Sequence, residues 1–273
     1  MPREDFTDPA HLETWLAEGN LVPILVVGNN AKGFDVDALA VQQPILRELL
    51  FGDRAPPHIA EAAVTGRLVL MFGGDRLPAA GDPPNVANVL QWMQQELSLP
   101  LVAVANKEAH GVDDHVDRVL TYCETTPEGR TVWGGVKGGV PVGGTRIYLS
   151  PRVRLGGVVA MGGGGISATE VQYALEQGLA PVAALPVPSA VAFEDGGFGG
   201  PVADLLQRLE LDGKLLLEET VGWRSLVTGA TVVTTVTHPD GTTIRCETRE
   251  GTTTTTTVVH PDGTNTVVTT EEL

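Results

Sequence analysis

The feature that most constrains the fold is an alternation of short apolar runs with amphipathic stretches along the first two hundred residues. The runs have the length of β-strands and are rich in aliphatic side chains, which is typical of strands buried on both faces of a parallel sheet. They occupy residues 21–27, 68–72, 101–105, 155–161 and 181–185. A further strand is expected over residues 146–149, after a glycine-dense connection at 134–144.

Helices are expected between these strands, because apolar residues recur there at intervals of three and four. The predicted helices cover residues 36–50, 86–97, 112–120 and 167–177, and Gly178 follows the last of them as a C-terminal capping glycine. Strands alternating with helices at this spacing predict an α/β fold with a Rossmann-like, doubly wound, mostly parallel sheet. The ligand crevice of such a sheet lies beyond the carboxyl ends of its strands.

The composition changes abruptly near Val227. Of the 46 residues from 228 to 273, 18 are threonine, and the aliphatic side chains are mostly valine. Pro-Asp-Gly signals at 239–241 and 261–263, with Glu-Gly at 250–251, mark turns between four β-branched segments at 231–237, 242–248, 252–259 and 264–270. The sequence therefore predicts a threonine-rich antiparallel β-meander at 228–273, which extends a Rossmann-like domain at 1–227.

The meander has few large side chains to bury, so it needs a partner surface. Three roles are open. It is an extension docked on its own domain, a surface that joins copies of the chain, or a regular threonine array that binds ice or adheres. Arg245, Glu247 and Arg249 interrupt the array and argue against the third role. We expect a homo-oligomer, with the C-terminal strands as its candidate contact.

The charge of the chain narrows the classes of partner. There are 18 Lys and Arg residues against 34 Asp and Glu, so the formal net charge is -16, which repels the phosphates of nucleic acids and anionic lipids. We therefore expect neither nucleic acid nor a membrane as a partner. No apolar run approaches the roughly 18 residues of a spanning helix, and the N-terminus does not resemble a signal peptide, so a cytoplasmic location is expected.

Metal and cofactor chemistry has no clear signal in the sequence. The chain has two cysteines, far apart, and six scattered histidines, so neither a metal site nor a bound cofactor is predicted. His110 and His115 flank two aspartates, but their spacing does not place both rings on one face of a helix. We expect them to be solvated polar residues at the start of the predicted helix at 112–120.

The most informative segment for function is 155–185, where a strand runs into four consecutive glycines and then a helix. Gly162, Gly163, Gly164 and Gly165 allow backbone amides to approach a ligand without side-chain clash, and the helix N-terminus adds unsatisfied N–H groups. Ser167 follows as a helix cap or as a donor to the ligand. The segment predicts an anion cradle, and a tight strand-to-helix turn is the alternative.

Other candidate binding residues follow neighbouring strands. Glu170, in the first turn after the glycines, is expected at the same crevice, where it would bond a ribose hydroxyl, act as a general acid or base, or merely cap the helix. Asn29 follows the first predicted strand, and Gly74 follows the second, beside Asp75 and Arg76. For Asp75 and Arg76, a surface ion pair is the alternative role. The glycine-rich stretch around Lys137 is either a lid, whose lysine would clamp an anion, or a plain linker.

In the glycine segment the chain resembles the SLOG superfamily of Rossmann-like proteins, which includes the LOG-type phosphoribohydrolases and the molybdenum-cofactor carrier proteins. The family pattern is a strand, then PGGxGTxxE, then a helix and a further strand. Gly162 stands at the family's proline, while Gly163 and Gly164 match its paired glycines. Ser167 stands at the threonine and Glu170 at the acid. The chain departs from the pattern at Ile166, which stands at the second conserved glycine position.

The resemblance implies a nucleotide or a nucleotide-derived small molecule as the ligand. In LOG enzymes an arginine upstream of the loop joins the glutamate in cleaving the N-glycosidic bond of a nucleoside 5'-monophosphate. Glu170 and Arg146 are therefore the candidate catalytic pair, with Arg152 and Arg154 as rivals to Arg146. Three functions remain open: a non-catalytic binder or sensor, which we favour, a phosphoribohydrolase, and a structural self-assembling protein.

Overall fold

The computed structural model describes the greater part of the chain. The described residues are 5–29, 32–74, 76–112, 115–185, 187–194, 199–211, 223–224, 232–237, 243–249, 253–260, 262 and 264–271. Seven helices lie in these ranges: α1 (Pro9–Glu18), α2 (Val36–Phe51), α3 (Pro57–Val64), α4 (Val86–Leu97), α5 (Gly144–Tyr148), α6 (Gly165–Glu176) and α7 (Gly200–Leu211).

Nine of the strands belong to the first part of the chain. They are β1 (Val22–Gly28), β2 (Leu68–Phe72), β3 (Leu101–Asn106), β4 (Arg118–Tyr122), β5 (Val136–Lys137), β6 (Val140–Pro141), β7 (Gly157–Met161), β8 (Val182–Leu185) and β9 (Trp223–Arg224). Four more follow towards the C-terminus: β10 (Val232–Thr237), β11 (Thr243–Arg249), β12 (Thr253–Val259) and β13 (Asn265–Glu271).

The main sheet has seven strands in the order β4-β3-β2-β1-β7-β8-β9. Its first six strands are parallel, and β9 pairs with β8 in the antiparallel sense at one edge. The chain moves outward from β1 to β4 and then returns to place β7 on the other side of β1. The strand order therefore reverses between β1 and β7, and the predicted doubly wound α/β fold is confirmed.

Helices cover both faces of the sheet, which explains why the strands are continuously apolar. On one face, α2, α3 and α4 bury leucines and other apolar residues against Ile24 and Val26 of β1. On the other face, α1, α5, α6 and α7 pack against Leu25 and Val27 of the same strand. Successive side chains of β1 thus point into two separate cores, as the two-residue period of a strand requires.

The predicted helix at 112–120 is wrong. Its last three residues belong to β4 instead, in parallel pairing with β3, and none of the described residues before them is helical. Asp117 ends the preceding loop, and its carboxylate accepts a hydrogen bond from the Leu101 N–H at 2.7 Å, while Val119 and Leu120 are buried. Pairing with an existing strand outweighs the weak helical spacing of this segment, because it satisfies the backbone groups and buries both apolar side chains.

The predicted strand at 146–149 is also wrong. Residues 144–148 form the short helix α5, which begins after Gly143 and buries Ile147 and Tyr148 against the second core. Gly143 has φ +57°, and a β-carbon there would lie 2.9 Å from the Trp133 carbonyl oxygen. The glycine therefore allows a close turn that sends the chain into a helix.

The glycine-dense connection before α5 contains a small hairpin. Strands β5 and β6 pair in the antiparallel sense and are joined by Gly138 and Gly139, which have φ +57° and +79°. Two successive residues with positive φ are the requirement of a type I' turn, the turn that matches the twist of a hairpin. Residues 136–141 are therefore a hairpin rather than a plain linker.

The C-terminal strands form a four-stranded antiparallel sheet in the order β10-β11-β12-β13, as the sequence predicts. At the last turn, the His260 N–H donates to the Thr264 carbonyl oxygen at 2.9 Å, and the Thr264 hydroxyl donates to Asp262 at 2.7 Å. The bond from Thr264 lowers the pKa of the Asp262 carboxyl. The other two predicted turns, around 239–241 and 250–251, lie outside the described residues.

Candidate functional site

The described residues surround a cavity of about 610 Å³ beyond the carboxyl ends of the parallel strands. It lies where the strand order reverses between β1 and β7, which is the place where open α/β sheets bind ligands. Gly28, Asn29 and Lys32 line it after β1, and Gly73, Gly74 and Arg76 line it after β2. Further walls come from residues 108–110 after β3, from residues 164–167 and Glu170 of the α6 region, and from three aromatic residues, Trp133, Tyr148 and Phe193.

The first two glycines of the predicted cradle are required by the fold itself. Gly162 has φ +60° and Gly163 has φ +130°, backbone conformations that L side chains rarely adopt. A β-carbon at Gly162 would lie 2.9 Å from the Val187 carbonyl oxygen, and one at Gly163 would lie 2.7 Å from Ser167 Cβ. These two residues turn the chain from β7 into α6, so their glycine identity gives no information about a ligand.

The second two glycines are different, because neither has a positive φ and both line the cavity. A β-carbon at Gly165 would have no heavy atom within 4 Å, and one at Gly164 would meet only Phe193 Cε1 at 3.5 Å. The fold therefore has room for a side chain at either position. Glycine there leaves the backbone amides open to the cavity, which is what a closely approaching anion requires.

The N-terminus of α6 supplies those amides. Gly164 is the N-cap, and no side chain of the described residues caps this helix. The first N–H groups of an α-helix have no partner within the helix, and the helix dipole gives this end a partial positive charge. Among the described residues, no acceptor is recorded for the amides of Gly164, Gly165 and Ile166. They are available to a ligand in the cavity.

The helix that follows β1 has the opposite character. At the start of α2, the Asp35 carboxylate accepts a hydrogen bond from the Ala38 N–H at 2.8 Å, and Asp37 adds a second acid in the first turn. These carboxylates already occupy the positive end of the helix and repel a second anion. An anionic group in this cavity is therefore favoured at α6 rather than at α2, where the first phosphate contact of a dinucleotide fold normally lies.

Two basic side chains add positive charge to the cavity wall. Lys32 and Arg76 line it, and neither forms an ion pair with any residue that the structure describes. The Lys32 Nζ lies 6.0 Å from the centroid of the Phe193 ring, and Phe193 borders Gly164. Lys32 is therefore at the α6 end of the cavity. The cavity lining also carries two carboxylates, Glu108 and Glu170, so the positive charge that favours an anion at the α6 end is the local one of Lys32.

Glu170 is fixed at the cavity wall by two hydroxyl groups. Its side chain is only 3% exposed. Its Oε1 atom accepts a hydrogen bond from Thr145 Oγ1 at 2.6 Å and another, short, bond from the Tyr148 hydroxyl. Both donors come from α5, so this short helix orients the carboxylate. Glu170 therefore does not cap α6, and its carboxylate is held in a fixed position at the cavity wall.

The two tyrosines near Glu170 have perturbed acidity. Complete burial raises the pKa of the Tyr148 phenol well above its usual value, and the nearby Glu170 carboxylate raises it further. Burial also raises the pKa of Tyr122, whose hydroxyl donates to the Trp133 carbonyl oxygen. Both phenols are thus hydrogen-bond donors at neutral pH.

The structure does not bring Arg146 to Glu170. The Arg146 side chain is 66% exposed and pairs with Glu124 at 2.9 Å, and Arg146 is not part of the cavity lining. The rivals lie elsewhere as well, since Arg152 and Arg154 line a separate surface groove beside α1. The arginine that borders the cavity is Arg76, which follows β2.

Of the other predicted site residues, Gly162 and Gly163 do not line the cavity, whereas the remainder do: Asn29, Gly74, Gly164, Gly165 and Ser167. Asn29 is buried, its Nδ2 donates to the Gly33 carbonyl oxygen at 3.4 Å, and its Oδ1 has no partner among the described residues. Gly74 lines the wall with φ +78°, and a β-carbon there would clash with Ala105. Ser167 lies in the first turn of α6 rather than at its cap. Asp75 lies outside the described residues.

Several residues that line the cavity or bond Glu170 were missed by the sequence analysis. Thr145 and Tyr148 bond Glu170 from positions 25 and 22 residues away in the sequence, and Trp133, Phe193 and Glu108 add to the walls. None of them follows a predicted strand directly or matches a motif. The two consecutive glycines after Trp133, Gly134 and Gly135, are the one local feature that could have drawn attention to this segment, since glycines often allow close packing.

The histidine prediction is wrong for His115. This residue is buried, and its ring lies 6.1 Å from that of Phe72. His110 is exposed and lines the cavity. Among the described residues there is no cluster of three or more histidine, cysteine or acidic side chains that could hold a metal ion. Every helix in the same part of the chain is too short or too polar to cross a lipid bilayer.

Comparisons of the chain with protein-family models, with curated proteins and with solved structures found no match. The resemblance to the SLOG superfamily therefore remains a prediction from residues 162–170.

Proposed function

We propose that this protein binds a nucleotide or a nucleotide-derived small molecule, as a non-catalytic binder or sensor. One observation carries the proposal. The uncapped N-terminus of α6, with Gly164 and Gly165 open to the cavity, faces a space of about 610 Å³ at the point where the strand order reverses. Such a site binds phosphate through backbone N–H groups, without needing a basic side chain at each oxygen.

The remaining walls suit the rest of a nucleotide. Val26, Val27 and Val86 give the cavity an apolar floor, and Trp133 and Phe193 add aromatic surface. Small-molecule sites typically combine such apolar walls with a few fixed polar groups, here represented by Glu170. The volume lies within the range of about 300 to 1,000 Å³ that is common for ligand pockets. The SLOG resemblance of residues 162–170 supports the same class of ligand.

The test is a substitution of Gly165 that adds one negative charge at the anion site. Gly165→Asp has room for its side chain, and an acid in the first turn favours the helix, so the variant is expected to fold normally. Its carboxylate would take the place of the phosphate. We expect nucleoside monophosphates to raise the melting temperature of the original protein in a thermal-shift assay and to leave that of Gly165→Asp unchanged.

Gly165→Asn is the matched control, because asparagine has nearly the same shape as aspartate without the charge. We expect it to retain part of the nucleotide-induced shift, and inorganic phosphate to compete with the nucleotide in the original protein. Equal nucleotide shifts for the original protein and Gly165→Asp would rule out the α6 amides as the phosphate site.

A phosphoribohydrolase is the second candidate, and the fixed carboxylate of Glu170 at the cavity favours it. It is less well supported, because Arg146 pairs with Glu124 outside the cavity. Incubation of the purified protein with nucleoside monophosphates, followed by mass spectrometry for the free base, distinguishes the two. Release of base that Glu170→Gln abolishes would establish the enzyme, whereas binding without release would establish the binder.

A further inference from the structure

We propose that Trp133 and Ile166 form a platform for a planar ring of the ligand, so that the site selects ring-bearing phosphates, such as nucleoside monophosphates, over sugar phosphates without a ring. This inference rests on the proposed function and specifies the part of the ligand that the anion site does not contact.

Trp133 differs from the other tryptophans in its surroundings. Trp15, Trp92 and Trp223 are partly buried and pack against the two cores, whereas Trp133 is 49% exposed and lines the cavity. Its indole has no ring contact with any residue that the structure describes. A large aromatic surface left open at a cavity is a surface that a ligand can cover.

The backbone of Trp133 is nevertheless fixed. Its carbonyl oxygen accepts hydrogen bonds from the Tyr122 hydroxyl and from the Gly144 N–H. At the next residues, the chain passes so close to α5 that a β-carbon at Gly134 would lie 2.7 Å from Thr145 Oγ1, and the Gly135 N–H donates to the same oxygen at 2.6 Å. A rigid backbone under an open ring reduces the entropy that binding would otherwise cost.

Ile166 places the platform next to the anion site. It is the second residue of α6, its side chain is 46% exposed, and it lines the cavity. A β-carbon at Gly135 would lie 3.8 Å from Ile166 Cγ1, and the Val136 N–H donates to Thr169 Oγ1 at 3.0 Å. The segment that carries Trp133 is therefore held against the first turns of the helix whose amides face the cavity.

This neighbourhood limits the chemistry of the ligand. Two exposed apolar side chains beside the helix N-terminus favour a flat, uncharged group covalently attached near the phosphate. A nucleobase meets this description, because every base has a π-face that stacks on an aromatic side chain, with little dependence on which base it is. Ribose 5-phosphate has the phosphate and the sugar but leaves the platform uncovered.

The experiment compares four probes on the full chain: a nucleoside monophosphate, its nucleoside, ribose 5-phosphate and inorganic phosphate. Affinities come from calorimetry, and the part of the ligand-induced change in tryptophan fluorescence that is lost on replacing Trp133 reports on that residue among the four tryptophans. Trp133→Leu removes the ring and Trp133→Phe keeps one. Both replace a half-exposed side chain, so folding is expected to be retained. We expect the monophosphate to bind about tenfold or more tightly than ribose 5-phosphate, in line with one stacked base.

Trp133→Leu should remove most of that difference by weakening the monophosphate alone, and Trp133→Phe should restore it to within about threefold. Quenching of fluorescence by the monophosphate should disappear in both variants. Equal affinities for the monophosphate and ribose 5-phosphate, or an unchanged difference in Trp133→Leu, would overturn the platform while leaving the anion site intact. Binding of the nucleoside as tightly as the monophosphate would instead refute the proposed phosphate site, and no binding of any probe would refute both.

Discussion

At the scale of single residues, the most constrained group is the carboxylate of Glu170. A buried carboxylate is costly unless hydrogen bonds replace water, and here Thr145 and Tyr148 supply two donors to one oxygen. Thr145 Oγ1 also accepts from the Gly135 N–H, so the hydroxyl links the loop after Trp133 to the carboxylate. A single residue on α5 thus connects two walls of the cavity.

The raised pKa of Tyr148 makes a prediction about stability at alkaline pH. A folded-state pKa above the usual 10.0 means that the folded chain keeps the phenol proton where the unfolded chain has lost it. The stabilising contribution is therefore complete below pH 10 and is lost as the pH rises through the folded-state pKa. The free energy of unfolding should fall above pH 10, and less steeply in Tyr148→Phe than in the original protein.

Urea unfolding at several pH values from 8 to 12 measures these slopes. Tyr148→Phe should also cost about 1 to 3 kcal/mol at neutral pH, because Glu170 loses a buried donor. The pH profile of Tyr122→Phe is measured for comparison, since burial also raises the pKa of Tyr122. Parallel pH profiles for the original protein and Tyr148→Phe would show that this phenol does not contribute.

At the scale of elements, the edge strand β9 shows how a distant segment completes the sheet. The Trp223 indole N–H donates to the Leu49 carbonyl oxygen of α2 at 3.0 Å. Its ring lies over β7, where a β-carbon at Gly157 would be 2.4 Å from Trp223 Cζ3. Gly157 is the first residue of β7, and a glycine in a strand has no side chain to pack, so its presence here is explained by the ring that covers it.

A double-mutant cycle tests this packing. Gly157→Ala should lower the free energy of unfolding by about 1 to 3 kcal/mol, because the added methyl group overlaps the indole. In a Trp223→Leu background the same change should cost much less, since the smaller side chain can move away. Denaturant unfolding of the four proteins gives the coupling energy. Additive effects would show that Trp223 is not the reason for glycine at this position.

At the scale of the whole molecule, the two sheets have different amphipathic designs. The seven-stranded sheet is covered by helices on both faces. In the four-stranded sheet, the register places Val236, Ile244, Val258 and Thr266 in one row, and alternate rows share a face. Within the described residues of these strands, the face that contains this row has no charged residue, whereas the four charged ones, Arg245, Glu247, Arg249 and Glu271, share the opposite face.

The expected homo-oligomer remains a prediction, and this register makes it testable. If copies of the chain meet through the uncharged face, Val258→Glu should dissociate them, because a carboxylate buried at an interface has no partner. Thr257→Glu is the matched control on the opposite face and should leave the assembly intact. Sedimentation velocity measures both, beside a chain truncated after Val227. A full-length chain that is monomeric at all concentrations would contradict the expectation.

The sequence by itself determined the elements whose signals are local. Strands β1, β2, β3, β7 and β8, the loop into α6 and the order of the meander strands follow from apolar periodicity and from glycine chemistry, which act within a few residues. The same signals identified Asn29, Gly74 and residues 162–170 as neighbours at the strand ends. Their convergence was predictable because all parallel strands end at one edge of the sheet.

The tertiary structure decided what depends on contacts between distant segments. Residues 118–120 of the predicted helix belong to a strand because β3 offered a partner, and residues 146–148 of the predicted strand belong to a helix because the second core could bury it. Arg146 pairs with Glu124, while Thr145 and Tyr148 lie beside Glu170, where the SLOG resemblance implied an arginine. Side-chain direction depends on which groups surround it after packing, and no local pattern specifies those surroundings.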